Sequence, residues 1–391
     1  MEQISKSKKP KKYSFLIEMK ILLTFTFQYS LKTWEDAGIL NRELKYYQKL
    51  SEKYKLSYIF LTYGDNTDNK LLSDYSNIEV IPIFEYIKRT DNKYLLFIKT
   101  LVLPWLIRKK LSDVSVIKTN QLNGAWLAIL MKILIKKPLF IRTGYDALIF
   151  SIKNNKSLIK RILFYILTQI SLMTSDLYTV SSKDDYKFLN KYYLFKKSKL
   201  KIRYNWVLEN YKIDFASRKS KKIISIGRLV PQKNYNYLIK EFSNSDHVID
   251  IVGDGPEREG LQKLAAKCNT NINFLGNLSH EDLMRIMNQY RYFISASLFE
   301  GNPKAILEAM ATGCVVIAVD IPNNSEIIKN NETGLLYDLE KDDLLDVFNE
   351  VLFDHELSNI LSKNALKSIE ANFSINKMIN DEYDDLTELS E

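Results

Sequence analysis

Cysteine and histidine are nearly missing from this chain: 391 residues include two cysteines, Cys268 and Cys314, and three histidines, His247, His280 and His355. Two cysteines on separate apolar segments exclude a disulfide framework, and neither they nor the scattered histidines show the spacing of a zinc site. Long apolar runs are missing too. No stretch reaches about 18 uninterrupted apolar residues, so no membrane-spanning helix is expected. The opening residues are basic, but Glu18 and Lys20 interrupt any apolar run and no small-residue cleavage site follows residues 21–27. The expectation is a cytoplasmic chain without a signal peptide, carrying a loose basic tail over residues 1–19.

Acidic residues are scarce in the first half. Residues 1–212 hold 38 Lys and Arg against 18 acids, and the remainder holds 18 against 29, so charges of about +20 and −11 make up the net +9. A basic half suits nucleic acid, an anionic membrane or a diphosphate-bearing substrate. Its cations are interleaved with apolar and aromatic residues in two helical stretches, 94–111 with Trp105, Arg108, Lys109 and Lys110, and 158–173 with Lys160, Arg161, Phe164 and Tyr165. That mixture favours peripheral contact with an anionic membrane over a nucleic-acid groove, against the plainer reading of a solvated charged face.

The length predicts two domains. From Lys20 onward, β-prone runs at 21–27, 57–62, 78–83, 114–119 and 139–142 alternate with helical stretches at 34–54, 94–111 and 124–135. Alternation of this kind predicts a parallel sheet covered by helices on both faces. A lysine-rich stretch at 187–203 interrupts it. The pattern restarts with strands at 222–227, 248–252, 272–275, 292–296, 315–319 and 334–337. The divisions expected are the tail 1–19, a first α/β domain 20–207, a second 208–372, and a terminal helical segment 373–391.

Ligands of open α/β sheets sit beyond the carboxyl ends of strands. After the strand at 222–227, the loop from Gly227 to Asn234 delivers two cations, Arg228 and Lys233; together they suit a diphosphate, Arg by bidentate bonding and Lys as a point charge. The turn Gly253-Asp254-Gly255-Pro256 follows the next strand. Arg258 stands where a dinucleotide fingerprint wants its third glycine, so a nicotinamide cofactor is not expected. The stretch 297–313 places Glu300 before a helix and Glu308 within it, with Pro303 suited to the first helical position and Gly313 to the residue past the end. The backbone N–H groups at such a helix start form an anion site. Periodicity alone leaves Glu308 evenly divided between a solvated helix residue and a ligand-facing one.

The order Gly-Arg-Leu-Val-Pro-Gln-Lys-Asn (227–234), Val-Gly-Asp-Gly-Pro-Glu (252–257), Ser-Leu-Phe-Glu-Gly-Asn-Pro-Lys-Ala-Ile-Leu-Glu-Ala-Met-Ala-Thr-Gly (297–313) and Asn-Glu-Thr-Gly-Leu-Leu-Tyr (331–337) resembles the retaining glycosyltransferases of family 4, within glycosyltransferase group 1. The resemblance covers residues 221–337. It implies two Rossmann-like doubly wound domains facing a central cleft, the GT-B arrangement, with the last helix crossing back to the first domain. It also implies a nucleotide-sugar donor on the second domain, a glycan or lipid-linked acceptor, and transfer of a hexose in surface polysaccharide assembly. By the same resemblance Arg228 and Lys233 hold the diphosphate, Glu300 the transferring sugar and Glu308 the ribose. Gly227, Gly253 and the backbone of Gly301, Asn302, Pro303 and Lys304 lie along the donor.

Departures lie mainly in the first half. No histidine precedes His247, one late glycine, Gly38, stands in the loop after the first strand, and Trp206 replaces the glycine of the family's Asn-Gly-Val element. Asn120, Arg142 and Asp146, at strand ends of the first domain, are the acceptor-side candidates, set against ordinary loop hydrogen bonding. No Asp-x-Asp pair occurs, so no metal and no other cofactor is expected. A sugar-nucleotide epimerase or phosphorylase on the same scaffold, and a nucleic-acid-binding protein, are the alternative readings.

Overall fold

The structure, a computed structural model, describes residues 18–194, 196–208 and 218–391. Nearly all of the basic tail and of the segment joining the two halves lies outside those residues. The first sheet contains β1 (Lys20–Thr24), β2 (Ser57–Thr62), β3 (Ile78–Pro82), β4 (Val116–Thr119), β5 (Leu139–Arg142), β6 (Leu177–Val180) and β7 (Lys199–Ile202), in the order 3-2-1-4-5-6-7. The second contains β8 (Lys219–Ile226), β9 (Val248–Val252), β10 (Asn271–Gly276), β11 (Tyr290–Ser295), β12 (Val315–Val319) and β13 (Leu335–Tyr337), in the order 10-9-8-11-12-13. Every pairing in both sheets is parallel. The strand order reverses beside β1 and beside β8, which opens a crevice at the carboxyl ends there.

Both faces of each sheet are covered. In the first domain, helices Leu40–Tyr54 and Ile375–Ser390 close one face around Leu23, Tyr47, Tyr58, Phe60 and Ile379. Helices Lys93–Thr100, Leu103–Ile107, Ala125–Ile135 and Leu158–Thr174 cover the other. Strands buried on both sides read as nearly continuous apolar runs, which is why Ile21-Leu22-Leu23 and Val315-Val316-Ile317 are legible without alternation.

The single helix expected over 34–54 is two, Leu31–Asp36 and Leu40–Tyr54, because Gly38 between them adopts φ +66. The lysine-rich stretch 187–203 is not an interruption. It ends helix Lys183–Tyr192 and supplies edge strand β7, in which Leu200 and Ile202 pack on the core. Alternate residues Lys199, Lys201 and Arg203 bond Asp385 and Glu388 of the terminal helix. Part of the basic excess of the first half is therefore neutralised inside the molecule by the acidic end of the chain.

Candidate active site

The carboxyl ends of β8, β9 and β11 bring the loops of the second domain together. Gly253 has φ +133, and a Cβ there would stand 2.1 Å from the Gly227 carbonyl oxygen, so the loops after β8 and β9 can touch only with glycine at this position. The Leu229 N–H donates to the Asp254 carbonyl at 3.0 Å, fixing the same contact. Arg228 is left exposed above it. A tight turn, Pro231–Lys233, then aims Lys233 at Glu300, with Nζ to Oε1 at 2.5 Å, and the Gln232 side chain donates to the Phe299 carbonyl at 2.8 Å. Lys233 and Glu300, 67 residues apart, thus form one unit at the strand ends.

The helix after Glu300 runs over Lys304–Ala311, with Pro303 as its N-cap and so one residue before the first helical position expected from the sequence. Having no N–H, Pro303 is also not one of the donors at that end. Ile306 through Ala311 are all buried, Glu308 included. From Ile306 onward the helix is therefore enclosed, which rules out the solvated reading of Glu308. His280 Nε2 lies 3.3 Å and Arg42 3.5 Å from Glu308 Oε1. Burial works to raise the Glu308 pKa, but the His280 hydrogen bond and the charges of Arg42, His280 and Lys304 outweigh it, and the carboxyl is held below its ordinary value.

Arg42 belongs to the first domain, so the site straddles both. It also pairs with Glu43 at 2.6 Å, and Glu43 reaches Lys304 at 3.7 Å. Burial opposes ionisation of Glu43 as well, yet Lys304, Arg42 and Arg142 bring its pKa down to about 2. Other contacts hold the domains in register. Glu326 accepts from the Lys183 N–H and from the Tyr204 hydroxyl, the Asn302 side chain donates to the Ser181 carbonyl, and a Cβ on Gly301 would stand 2.7 Å from that of Tyr145.

Between the domains lies a cavity of about 700 Å³. Glu300, Gly301, Asn302 and Lys304 form its second-domain wall; Trp34, Tyr46, Tyr47, Tyr145 and Trp206 give it aromatic sides. Trp206 stacks on Tyr46 with centroids 5.1 Å apart, and the Arg42 guanidinium lies over the Trp206 ring at 5.9 Å from its centroid. At the floor, Glu382 of the terminal helix accepts from Lys118 at 2.5 Å and from the Tyr46 hydroxyl at 2.8 Å, with Arg142 at 3.7 Å. Lys118 and Glu382 are almost fully buried.

Of the acceptor-side candidates, Asn120 and Arg142 line the cavity, Asn120 donating to the Tyr47 hydroxyl and Arg142 to the Tyr204 carbonyl. Asp146 does not. Its carboxylate turns into the fold, where it caps helix Ala147–Lys153 by accepting from the Ile149 N–H at 2.8 Å. Burial, then the nearby charge of Asp185, push its pKa up to about 7. Arg42, Glu43, His280 and Glu382 carried no local signal in the sequence, because each acquires its partner only when distant segments meet.

The raised Asp146 pKa has a measurable consequence. Between about pH 4, where an unfolded aspartate ionises, and pH 7, the folded state keeps a proton that the unfolded state has lost, so stability falls as pH rises through that window. Asp146→Asn keeps the helix cap and does not titrate. Its stability, read as a higher melting temperature, is expected to exceed that of the wild type above pH 7 by up to about 4 kcal/mol, and the gap to close toward pH 4. A gap independent of pH would show that Asp146 is not the titrating group.

Comparison with known proteins agrees with this architecture. The fold is GT-B: sucrose-phosphate synthase from Thermosynechococcus elongatus superimposes with a TM-score of 0.79 over 95% of this chain and 99% of its own, at 15% identity. Residues 209–368 match the family model for glycosyl transferases group 1. Among curated relatives, the UDP-Gal:alpha-D-GlcNAc-diphosphoundecaprenol alpha-1,3-galactosyltransferase of Escherichia coli is 34% identical over 168 residues, 39% of this chain and 42% of that protein. The N-acetylgalactosamine-N,N'-diacetylbacillosaminyl-diphospho-undecaprenol 4-alpha-N-acetylgalactosaminyltransferase of Campylobacter jejuni is 27% identical over 70% of this chain and 78% of its own length. The strongest curated alignments thus span a third to under half of the relatives' length.

Proposed function

We infer that the protein transfers a hexose from a nucleotide-sugar donor to a lipid-linked glycan, with retention of anomeric configuration, at a membrane surface during polysaccharide assembly. The observation that carries this is the pairing of Lys233 with Glu300, which together with Lys304 at the start of helix Lys304–Ala311 lines one wall of an interdomain cavity, with buried Glu308 one turn further along that helix. In this reading the donor lies along the second-domain loops. Gly227 and Gly253 let its diphosphate approach the backbone, and Arg228 and Lys233 stabilise the charge that grows on the leaving nucleoside diphosphate. Glu308 takes the ribose hydroxyls, exchanging its bonds to Arg42 and His280 for them. Glu300 orients the sugar, and Gly301 to Lys304 line its path.

The acceptor hydroxyl enters from the first-domain side, past Asn120 and Arg142. As the sugar–diphosphate bond breaks and the acceptor oxygen bonds the same face of the anomeric carbon, the departing diphosphate oxygen takes the acceptor proton. Glu300 is paired with Lys233 before the donor binds and turns to the sugar once the diphosphate takes the lysine, where it orients the sugar and does not attack it. Fixed cations and a helix start supply the charge that a divalent ion would otherwise provide. Both bacterial relatives named above carry diphospho-undecaprenol acceptors in their names, which supports the lipid-linked class here.

The test is release of free nucleoside diphosphate from a panel of nucleotide sugars, dependent on an added polyprenyl-diphosphate glycan. Turnover is expected to require the acceptor and to survive EDTA undiminished, and the product linkage read by NMR is expected to keep the donor's anomeric configuration. Loss of turnover in EDTA restored by manganese would overturn the metal-free mechanism. Diphosphate release without acceptor, or an isomerised nucleotide sugar as product, would overturn transfer itself.

A further inference from the structure

Helix Leu158–Thr174 is built the wrong way round for a surface helix in water. Its inward side includes the buried hydroxyl residues Thr168 and Ser171 beside Leu172, while Leu158, Ile159, Ile162, Leu163, Ile166 and Ile170 face outward. Three of these expose 60–71% of their surface. A polar outer face is the norm for such helices. The same helical layer carries exposed Tyr94, Ile98, Trp105 and Leu106 on helices Lys93–Thr100 and Leu103–Ile107, and exposed Ile133 on the intervening helix Ala125–Ile135. Apolar exposure on this scale across neighbouring helices marks an interaction surface.

Charge selects the partner. From Lys93 to Met173 the chain has fourteen lysines and arginines against two acids, Asp113 and Asp146, and Asp146 is buried. Arg108, Lys109, Lys110, Lys153, Lys156 and Lys160 stand exposed around the apolar residues. A second copy of this chain packed face to face would set these cations against one another, whereas an anionic bilayer neutralises them while its acyl region accepts the apolar side chains. No described helix is long and apolar enough to cross a membrane, so the contact is interfacial.

We propose that the outer face of helices Lys93–Thr100, Leu103–Ile107 and Leu158–Thr174 docks on an anionic lipid surface and sets the mouth of the interdomain cavity at headgroup level. Ser151, Asn154, Lys156 and Phe164 line that cavity, and exposed Ile152, Leu158, Ile159 and Leu163 belong to the same stretch of chain. An amphiphilic acceptor can therefore keep its apolar tail in the bilayer while its polar head enters between the domains. The identity of that acceptor rests on the transfer reading above; the docking itself rests on the surface.

The experiment is flotation of the full chain with vesicles of phosphatidylcholine alone or mixed with phosphatidylglycerol, together with quenching of tryptophan emission by lipids brominated on the acyl chain. The chain is expected to float with the anionic vesicles at least ten times more tightly than with the neutral ones. Trp105 emission is expected to shift to the blue and be quenched, and Trp105→Phe to remove that component. Ile159→Glu combined with Leu163→Glu is expected to weaken vesicle binding at least tenfold while leaving the melting temperature and its shift by nucleoside diphosphates unchanged, since both side chains point away from the core. Wild-type chain that stays in the supernatant, equal flotation with both vesicles, or a double variant that floats like the wild type would overturn the proposal. A dimer that dissociates in the double variant without any flotation assigns the face to a second copy and equally overturns it. Lipid docking without any nucleoside-diphosphate shift in the wild type supports the docking surface and sinks the donor-site reading alone.

Discussion

Lys233→Ala is expected to lower the transfer rate by about a hundredfold or more, the scale on which removal of one charge-stabilising group in an active site acts. Lys233 and Glu300 neutralise each other at 2.5 Å, with the lysine side chain 20% and the glutamate 10% exposed. A diphosphate at the strand ends offers Lys233 a stronger partner and turns Glu300 toward the sugar. The gain appears as charge moves onto the leaving group, so the loss on substitution belongs mainly to kcat. Folding is expected to change little, because the turn Pro231–Lys233 is held by backbone bonds and by Gln232 on Phe299, and Glu300 lines the cavity, where water can solvate it once its partner is gone. Lys233→Arg keeps the charge and is expected to recover activity to within tenfold of the wild type. Arg228→Ala acts on the same leaving group, so the double variant should fall less than the product of the two single losses. The measurement is steady-state release of nucleoside diphosphate with acceptor present. A Lys233→Ala enzyme within twofold of wild type would remove Lys233 from the chemistry.

Glu382→Leu is expected to destabilise the chain by about 3–5 kcal/mol, the range for removing one partner of a buried ion pair. Lys118 points from β4 into the floor of the cavity, where Glu382 Oε1 is 2.5 Å away and the aromatic rings of Tyr47 and Phe140 surround it. Burial pulls the Lys118 pKa below its ordinary value, and the Glu382 charge and hydrogen bond work against that pull. Without Glu382 the ammonium is left buried and unpaired, and the Tyr46 hydroxyl loses its acceptor. A lysine whose folded pKa is depressed binds fewer protons folded than unfolded as pH approaches its ordinary value near 10.5, so stability rises with pH there. The deficit of Glu382→Leu should therefore shrink at alkaline pH. Adding Lys118→Met removes the stranded charge and is expected to restore a large part of the loss. Urea unfolding monitored by circular dichroism reads the wild type and both variants, and a single-variant loss below about 1 kcal/mol would show that the pair does not anchor the terminal helix.

These two sites differ in how they could be read. Lys233 and Glu300 sit in loops that follow apolar strands, and a reader who knows that ligands gather at the carboxyl ends of parallel strands can find both from the linear order. The strands Ser57–Thr62, Leu139–Arg142, Val248–Val252 and Val315–Val319 were legible to the residue, because strands buried on both faces announce themselves as short apolar runs. β7 was not. Its Lys-Leu-Lys-Ile alternation is that of an edge strand whose lysines meet a helix nearly two hundred residues later, and in isolation it reads as polar linker. β6 and helix Ala147–Lys153 were missed as well, being short and flanked by longer apolar segments. Asp146 looked like a cleft residue from its place after β5, yet local chemistry favoured a helix cap, and that turned the side chain away from the cavity.

By itself the sequence determined the α/β alternation repeated in two domains, the cations and acids of the second domain, and the unusual basic-apolar character of the first. These are properties of local order: burial imposes a pattern on each strand, and backbone donors at a helix start need only the residues around them. The tertiary structure alone decided that Glu308 is enclosed by Arg42 and His280, that Glu382 closes the floor of the cavity beneath Lys118, and that the isoleucines of helix Leu158–Thr174 face outward. Each of these depends on which distant segment covers a given side chain. Periodicity tells that a helix has two faces; only the packed molecule shows which one meets protein and which is left for a partner.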